Sequence, residues 1–329
     1  GFGEMAGLLS AMTGRRLDRG HERLVMTVGM AMVGLSTVLA VVGSFLVFAL
    51  GQFLLTLGVA LYTLGGHAYI SRHVGFARRG RAIGIFEISW ALGLLIGAPA
   101  AALMIEFISW RAPFVAVGIL AFIGCGVLLR AADPSVPPAA EDPALATKRL
   151  NANAWFAVAG SAGIALAGLT TIVIVGTWLD DRLGVSTGGI GLVAMGFGAV
   201  ELLSSSTSAT FSDRLGKNRS TRTALVLVLI GLGVMSVTGN SLPVGVIGLV
   251  VFFCGFEYAI VTSFSVVSEA MPSARGRVLA ANAAIGTFAR GTGTIASGFL
   301  YESFGIIGPG TLSAVGAVTA FACLSQVSE

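Results

Sequence analysis

Long apolar runs, broken by Gly, Pro or clusters of charge, succeed one another along almost the whole chain. They fall at about 1–13, 24–42, 44–71, 82–105, 110–130, 153–179, 188–211, 222–240, 243–270, 278–301 and 305–325. A hydrocarbon core of about 30 Å takes roughly 20 helical residues, and every run but the first reaches that length. The pattern predicts an all-α membrane protein of about eleven helices. The run ahead of Gly14 would reach only about 20 Å. It carries Glu4 and lacks the basic start of a signal peptide. It reads as the tail of a helix whose beginning, with one earlier helix, precedes Gly1. The run at 44–71 is long enough to lie tilted.

The stretch 131–152, rich in Pro, Ala and charges of both signs, loses the apolar pattern and reads as a surface linker. The expected organisation is a transmembrane half over 1–130, a cytoplasmic linker over 131–152 and a second transmembrane half over 153–329.

Composition agrees with lipid as the solvent. Apolar residues make up 55% and charged residues 11% of the chain, against about 25% charged in a soluble domain, and the mean hydropathy is +0.89. The 46 glycines suit helices whose backbones approach closely. The pI of 9.3 does not point to nucleic acid, because the cations form no single patch. Of 20 basic residues, 17 lie in alternate loops or at their edges, which places those loops in the cytoplasm. The other three are Arg111, Arg182 and Arg290. Cys125, Cys254 and Cys323 sit within apolar runs without metal-ligand spacing and read as small buried hydrophobes.

Two short basic stretches occur twice. Asp18-Arg19 returns 195 positions later as Asp213-Arg214, and Arg79-Gly80-Arg81 returns 196 positions later as Arg275-Gly276-Arg277. Matched loops at a fixed period mark an internal duplication. In a membrane chain, two similar halves point to a transporter that rocks one half against the other around a central site.

The segment from Gly14 through Asp18 and Arg19 to Arg23 resembles the signature G-x-x-x-D-R-x-G-R/K-R/K of the major facilitator superfamily. Asp213, Arg214, Gly216 and Lys217 form its second copy. Each copy is imperfect: the first keeps Gly14 but has His21 where the second Gly belongs, and the second keeps Gly216 but has Ala209 where the first belongs. The Arg-Gly-Arg stretches and the segment Trp110-Arg111-Ala112-Pro113-Phe114 are also similar to that superfamily. The resemblance implies a twelve-helix plan of two six-helix halves, of which helix 1 and most of helix 2 are missing here. It also implies that the signature is a cytoplasmic gate, in which Asp18 accepts charge-assisted hydrogen bonds from arginines or a helix N-terminus. Simple topological anchoring is the plainer reading of Arg15, Arg16 and Arg23. Gly93, Gly97 and Pro99 resemble the arabinose- and nucleoside-efflux branch, and the glycine spacing reads as a helix-packing signal. Gln52 stands where the superfamily's fourth helix carries an Arg.

An ionisable group at a helix centre costs roughly 2.5–3.5 kcal/mol on insertion scales, so each needs a partner, a cavity or a function. Arg290 and Glu201 both lie about 18 to 20 Å in from the basic side. With helices 8 and 11 of the superfamily plan as neighbours, the two are expected to meet. The pair reads as a coupling element opened by a proton or substrate, or as a static brace. Glu257, beside Tyr258, reads as a cavity carboxyl or as a buried, hydrogen-bonded one. Glu87 is shallow enough to pair with loop arginines. His67 reads as a pH-sensitive cavity residue or a hydrogen-bonded group near the membrane edge. Tyr62, Tyr69 and Trp90 can stack on a ligand, whereas Trp178, beside Asp180 and Asp181, reads as an interfacial anchor. Thr170, Thr171 and Thr177 offer hydroxyls, or bond their own helix backbone.

The chain has no G-x-x-x-x-G-K-[ST] nucleotide loop and no Ser/His/Asp or metal constellation, so no enzyme, cofactor or metal is expected. Through the resemblance, the expected function is secondary active transport by alternating access in a plasma membrane, with proton-coupled efflux of a small organic molecule favoured. Uptake symport or facilitated diffusion is the alternative within the superfamily. A non-transporting membrane scaffold or sensor is the alternative outside it. The expected partners are the lipid bilayer, a small-molecule substrate and protons, and not nucleic acid. The sequence does not specify the substrate or the oligomeric state.

Overall fold

The computed structural model describes residues 21–42, 44–74, 82, 85–86, 88–131, 150–271 and 275–327. Helices account for nearly all of them, and the described residues contain no strand. In chain order these are α1 Glu22–Val41, α2 Phe45–His73, α3 Ile88–Phe107, α4 Ala112–Ala131, α5 Ala152–Leu183, α6 Thr187–Leu215, α7 Lys217–Ser236, α8 Leu242–Glu269, α9 Arg275–Phe304 and α10 Ile307–Leu324. Among the described residues, all of these except α9 are long and apolar enough to cross a membrane. The expected incomplete helix at 1–13 and most of the expected linker lie outside the described residues.

Local chemistry sets the ends. The Asn151 side chain accepts from the Ala154 N–H at 2.9 Å and caps α5. At its other end Gly184 is left-handed (φ 63°), and the Val185 N–H reaches back to the Leu179 carbonyl at 3.0 Å. Pro243 opens α8, where a missing N–H matters least. In α3 a π-helical turn over Gly93–Gly97 precedes Pro99, whose ring and absent N–H disturb the regular ladder.

The basic stretch expected as a loop between 211 and 222 is instead almost wholly helical. Only Gly216, at φ 83°, separates α6 from α7, a backbone conformation that glycine adopts without a Cβ penalty.

The chain divides into two compact units, 2–93 with 100–141, and 142–329 with 94–99. In the first, α1 packs against α2 and α4. In the second, α5 is the most buried span and packs against α9 and α10, while α7 packs against α8 and α10. Small residues make these contacts possible. A Cβ on Gly29 would lie 2.6 Å from the Gly58 carbonyl oxygen, and one on Gly163 would lie 2.7 Å from that of Gly316.

The two units share a detail that their sequences conceal. Arg23 Nη2 donates to the Leu129 carbonyl, tying α1 to the end of α4. Asn218 Nδ2 donates to the Leu324 carbonyl at 2.8 Å, tying α7 to the end of α10. Each member of the second pair stands 195 positions after its counterpart, the period of the signature itself.

Two expectations are corrected. Trp178 is only 1% exposed and is not an interfacial anchor; its ring fills the space that Gly245 of α8 leaves open. Thr171 does not turn to its own helix: its hydroxyl meets Ser313 of α10 at 2.7 Å. Beside it, Ser297 of α9 donates to the Thr170 carbonyl at 2.6 Å.

Candidate functional site

Three faces of α8 organise the second unit. Gly255 presses on α7, where an added Cβ would lie 2.7 Å from the Ala224 oxygen. Phe256 covers Gly168 of α5, leaving no room for a side chain there. The remaining face turns to α6, against which α8 packs. There Phe253 stacks on Phe197 with ring centroids 4.2 Å apart.

One helical turn beyond this stack, α6 carries Glu201 and α8 carries Glu257. Both are partly buried, and the two carboxyls stand close enough for their charges to act on each other. The helix that carries Arg290, α9, packs chiefly on α5. Arg290 Nη2 donates to Thr287 Oγ1, one turn earlier, at 3.0 Å. Tyr258 packs against the apolar core, and its carbonyl accepts from Thr262 Oγ1 at 2.7 Å.

In the first unit the His67 ring meets Phe86 edge-on at 5.3 Å, and Tyr62 stacks on Phe86 at 5.7 Å. A cavity of about 230 Å³ lies beside them, lined by Met30, Val59, Tyr62, Thr63, Phe86 and Trp90. A Cβ built on Gly93 or Gly97 meets nothing within 4 Å among the described residues, so these glycines bracket the π turn without a close helix contact there.

The signature is seen in part. Gly14, Asp18, Arg19 and Glu87 lie outside the described residues, as do the side chains of Asp213 and Arg214. Arg23 caps α4 as given above. Lys217 Nζ pairs with Glu269 Oε1, at the end of α8, at 2.6 Å. Asn218 and Glu269 escape sequence reading because neither is a residue that the signature asks for. Only the 195-residue offset from Arg23 could have marked Asn218. The described residues contain no group of three or more His, Cys, Asp or Glu able to hold a metal.

The sequence profile of the Major Facilitator Superfamily matches residues 2–294. The chain belongs to the major facilitator superfamily. It is a multi-pass integral membrane protein. A relative described as an MFS-type efflux pump, from Mycolicibacterium smegmatis, is 24% identical over 273 residues, which make up 80% of this chain. The match spans 64% of that relative's length. A solved superfamily fold, the crystal structure of a D-xylose-proton symporter, superposes with a TM-score of 0.75 at 14% identity. That likeness covers 97% of this chain and 85% of the symporter chain.

Proposed function

We propose that this protein is a secondary active transporter that works by alternating access and couples efflux of a small organic molecule to proton movement. The observation that carries this reading is the Glu201–Glu257 carboxyl pair on the packed, membrane-crossing helices α6 and α8. Two carboxylates within reach of each other's charge in such a setting repel, and a proton bound by either one relieves the repulsion. A pair that gains and loses one proton as the surrounding helices change their exposure is a coupling element. Arg290, at similar depth on α9, supplies a cation that can take the place of that proton in one conformation.

The direction rests on the mycobacterial relative described as an efflux pump. Uptake by proton symport is the second reading, favoured by the fold shared with a D-xylose-proton symporter. In either case the signature stretches act as gates on the cytoplasmic side of a plasma membrane. There Asp18 and Asp213 hold arginines in one state and release them in the other. The halves 1–130 and 153–329 move as the two rocking bodies, joined by the linker 131–152.

The reading is tested with everted membrane vesicles, an imposed pH gradient and a panel of drugs, sugars and nucleosides. Accumulation of a panel member that collapses with the gradient, and is lost in Glu257→Gln, supports proton-coupled efflux. Accumulation indifferent to both the gradient and Glu257→Gln turns the protein into a facilitator and removes the coupling role of the pair.

A further inference from the structure

The seam between α7 and α10 carries charge and apolar space that transport leaves unused. Arg219, Arg222, Val226 and Ile230 recur along α7 at steps of three or four, so they share one face of the helix. That face is open: Arg219 is exposed, and Val226 and Ile230 are 44% and 50% exposed. Arg222 leans on α10 with its guanidinium carbon 5.9 Å from the centroid of the Phe321 ring. Its Nε–H is buried and without a hydrogen-bond partner among the described residues. Neither arginine meets a carboxylate among the described residues, and nearby Lys217 is already paired with Glu269. Farther along the same helix pair lies a cavity of about 350 Å³, lined by Leu229, Leu232, Gly233, Gly310, Thr311 and Ala314. It begins seven residues past Arg222, about 10 Å along α7.

Two guanidiniums at a helix end, then apolar surface on the same face, then an apolar cavity, complement a molecule with an anionic head and a long apolar tail. The planar, weakly hydrated guanidinium suits a phosphate oxygen, and basic pockets between transmembrane helices are a recurrent form of headgroup site. One leaflet of a bilayer core is about 15 Å deep. An acyl chain hanging from a headgroup at Arg222 therefore reaches the cavity. We propose that the α7–α10 seam binds one anionic glycerophospholipid, with its phosphate on Arg219 and Arg222 and one acyl chain in the cavity beside Gly233. The proposal needs only the membrane location, so it stands or falls apart from proton coupling.

The test is native mass spectrometry of the full-length protein released from nanodiscs holding dioleoylphosphatidylglycerol and dioleoylphosphatidylcholine in equal amounts. One phosphatidylglycerol per chain is expected to remain, about thirtyfold over phosphatidylcholine, from roughly 1 kcal/mol for each of the two arginines near the surface. Removing both charges with Arg219→Gln and Arg222→Gln should erase that preference, and the corresponding pair of lysine variants should keep most of it. Gly233→Phe, at a position where an added Cβ meets nothing within 4 Å, should fill the cavity and lower retention with both arginines intact. Thermal unfolding of each variant in lipid-free detergent separates loss of the site from loss of the fold. Equal retention of the two lipids overturns the proposal, as does a preference that survives loss of both arginines. Retention unchanged by Gly233→Phe removes the acyl chain from the cavity.

Discussion

Glu201 and Glu257 are 56 positions apart in the chain, yet α6 and α8 bring them within reach of each other's charge, one turn past the Phe197–Phe253 stack. A carboxamide keeps the shape of a carboxyl and cannot ionise, so Gln variants test charge and little else. Glu257→Gln is expected to abolish the dependence of transport on a pH gradient, and Glu201→Gln to weaken it, each read as initial transport rate against imposed gradient. If both variants keep the native pH profile, the carboxyl pair is structural. A different residue-scale effect belongs to Asn218, whose Nδ2 also donates to the Val327 carbonyl at 3.1 Å. Asn218→Ala leaves carbonyls at the end of α10 without their donor and should lower stability by about 1–3 kcal/mol. Denaturant unfolding in detergent measures it, and an unchanged midpoint would remove the clamp from the account.

At the scale of elements, backbone contact at glycine decides which helices sit together. Gly163→Val would push side-chain carbons against the Gly316 carbonyl and should destabilise by about 1–3 kcal/mol. Gly233→Ala points into open space and should be neutral or slightly stabilising, since Ala exceeds Gly in helix propensity by about 1 kcal/mol. Thermal unfolding of the two variants side by side gives the comparison, and equal losses would contradict the packing described here. Gly216→Ala forces a side chain onto φ 83° at the α6–α7 junction and should cost about 1–3 kcal/mol. The positions of the spans were legible in the sequence because lipid demands length and apolarity, and α2, α4 and α8 fall within a few residues of expectation. Which face meets which neighbour was not. A helix apolar all round carries no stripe to show its inward side, and so the approach of Glu257 to Glu201 and the burial of Trp178 escaped the sequence. The start of α7 escaped for another reason: Lys217, Asn218 and Arg219 look like loop, and nothing but the single residue Gly216 announces the turn.

For the whole molecule, membership of the major facilitator superfamily and the internal period were both legible from the paired Asp-Arg and Arg-Gly-Arg stretches. The structure repeats that period in the Arg23–Leu129 and Asn218–Leu324 contacts, an agreement that side-chain chemistry alone would hide because Arg and Asn look unrelated. The account's central claim is that substrate and protons move together through this protein. The direct measurement is the internal pH of proteoliposomes, followed with an entrapped fluorescent indicator, when a transported compound is added without any imposed gradient. The account predicts a pH change that scales with the compound's concentration, disappears in Glu257→Gln, and is insensitive to a channel for other ions. Compound uptake with no change in internal pH would contradict it.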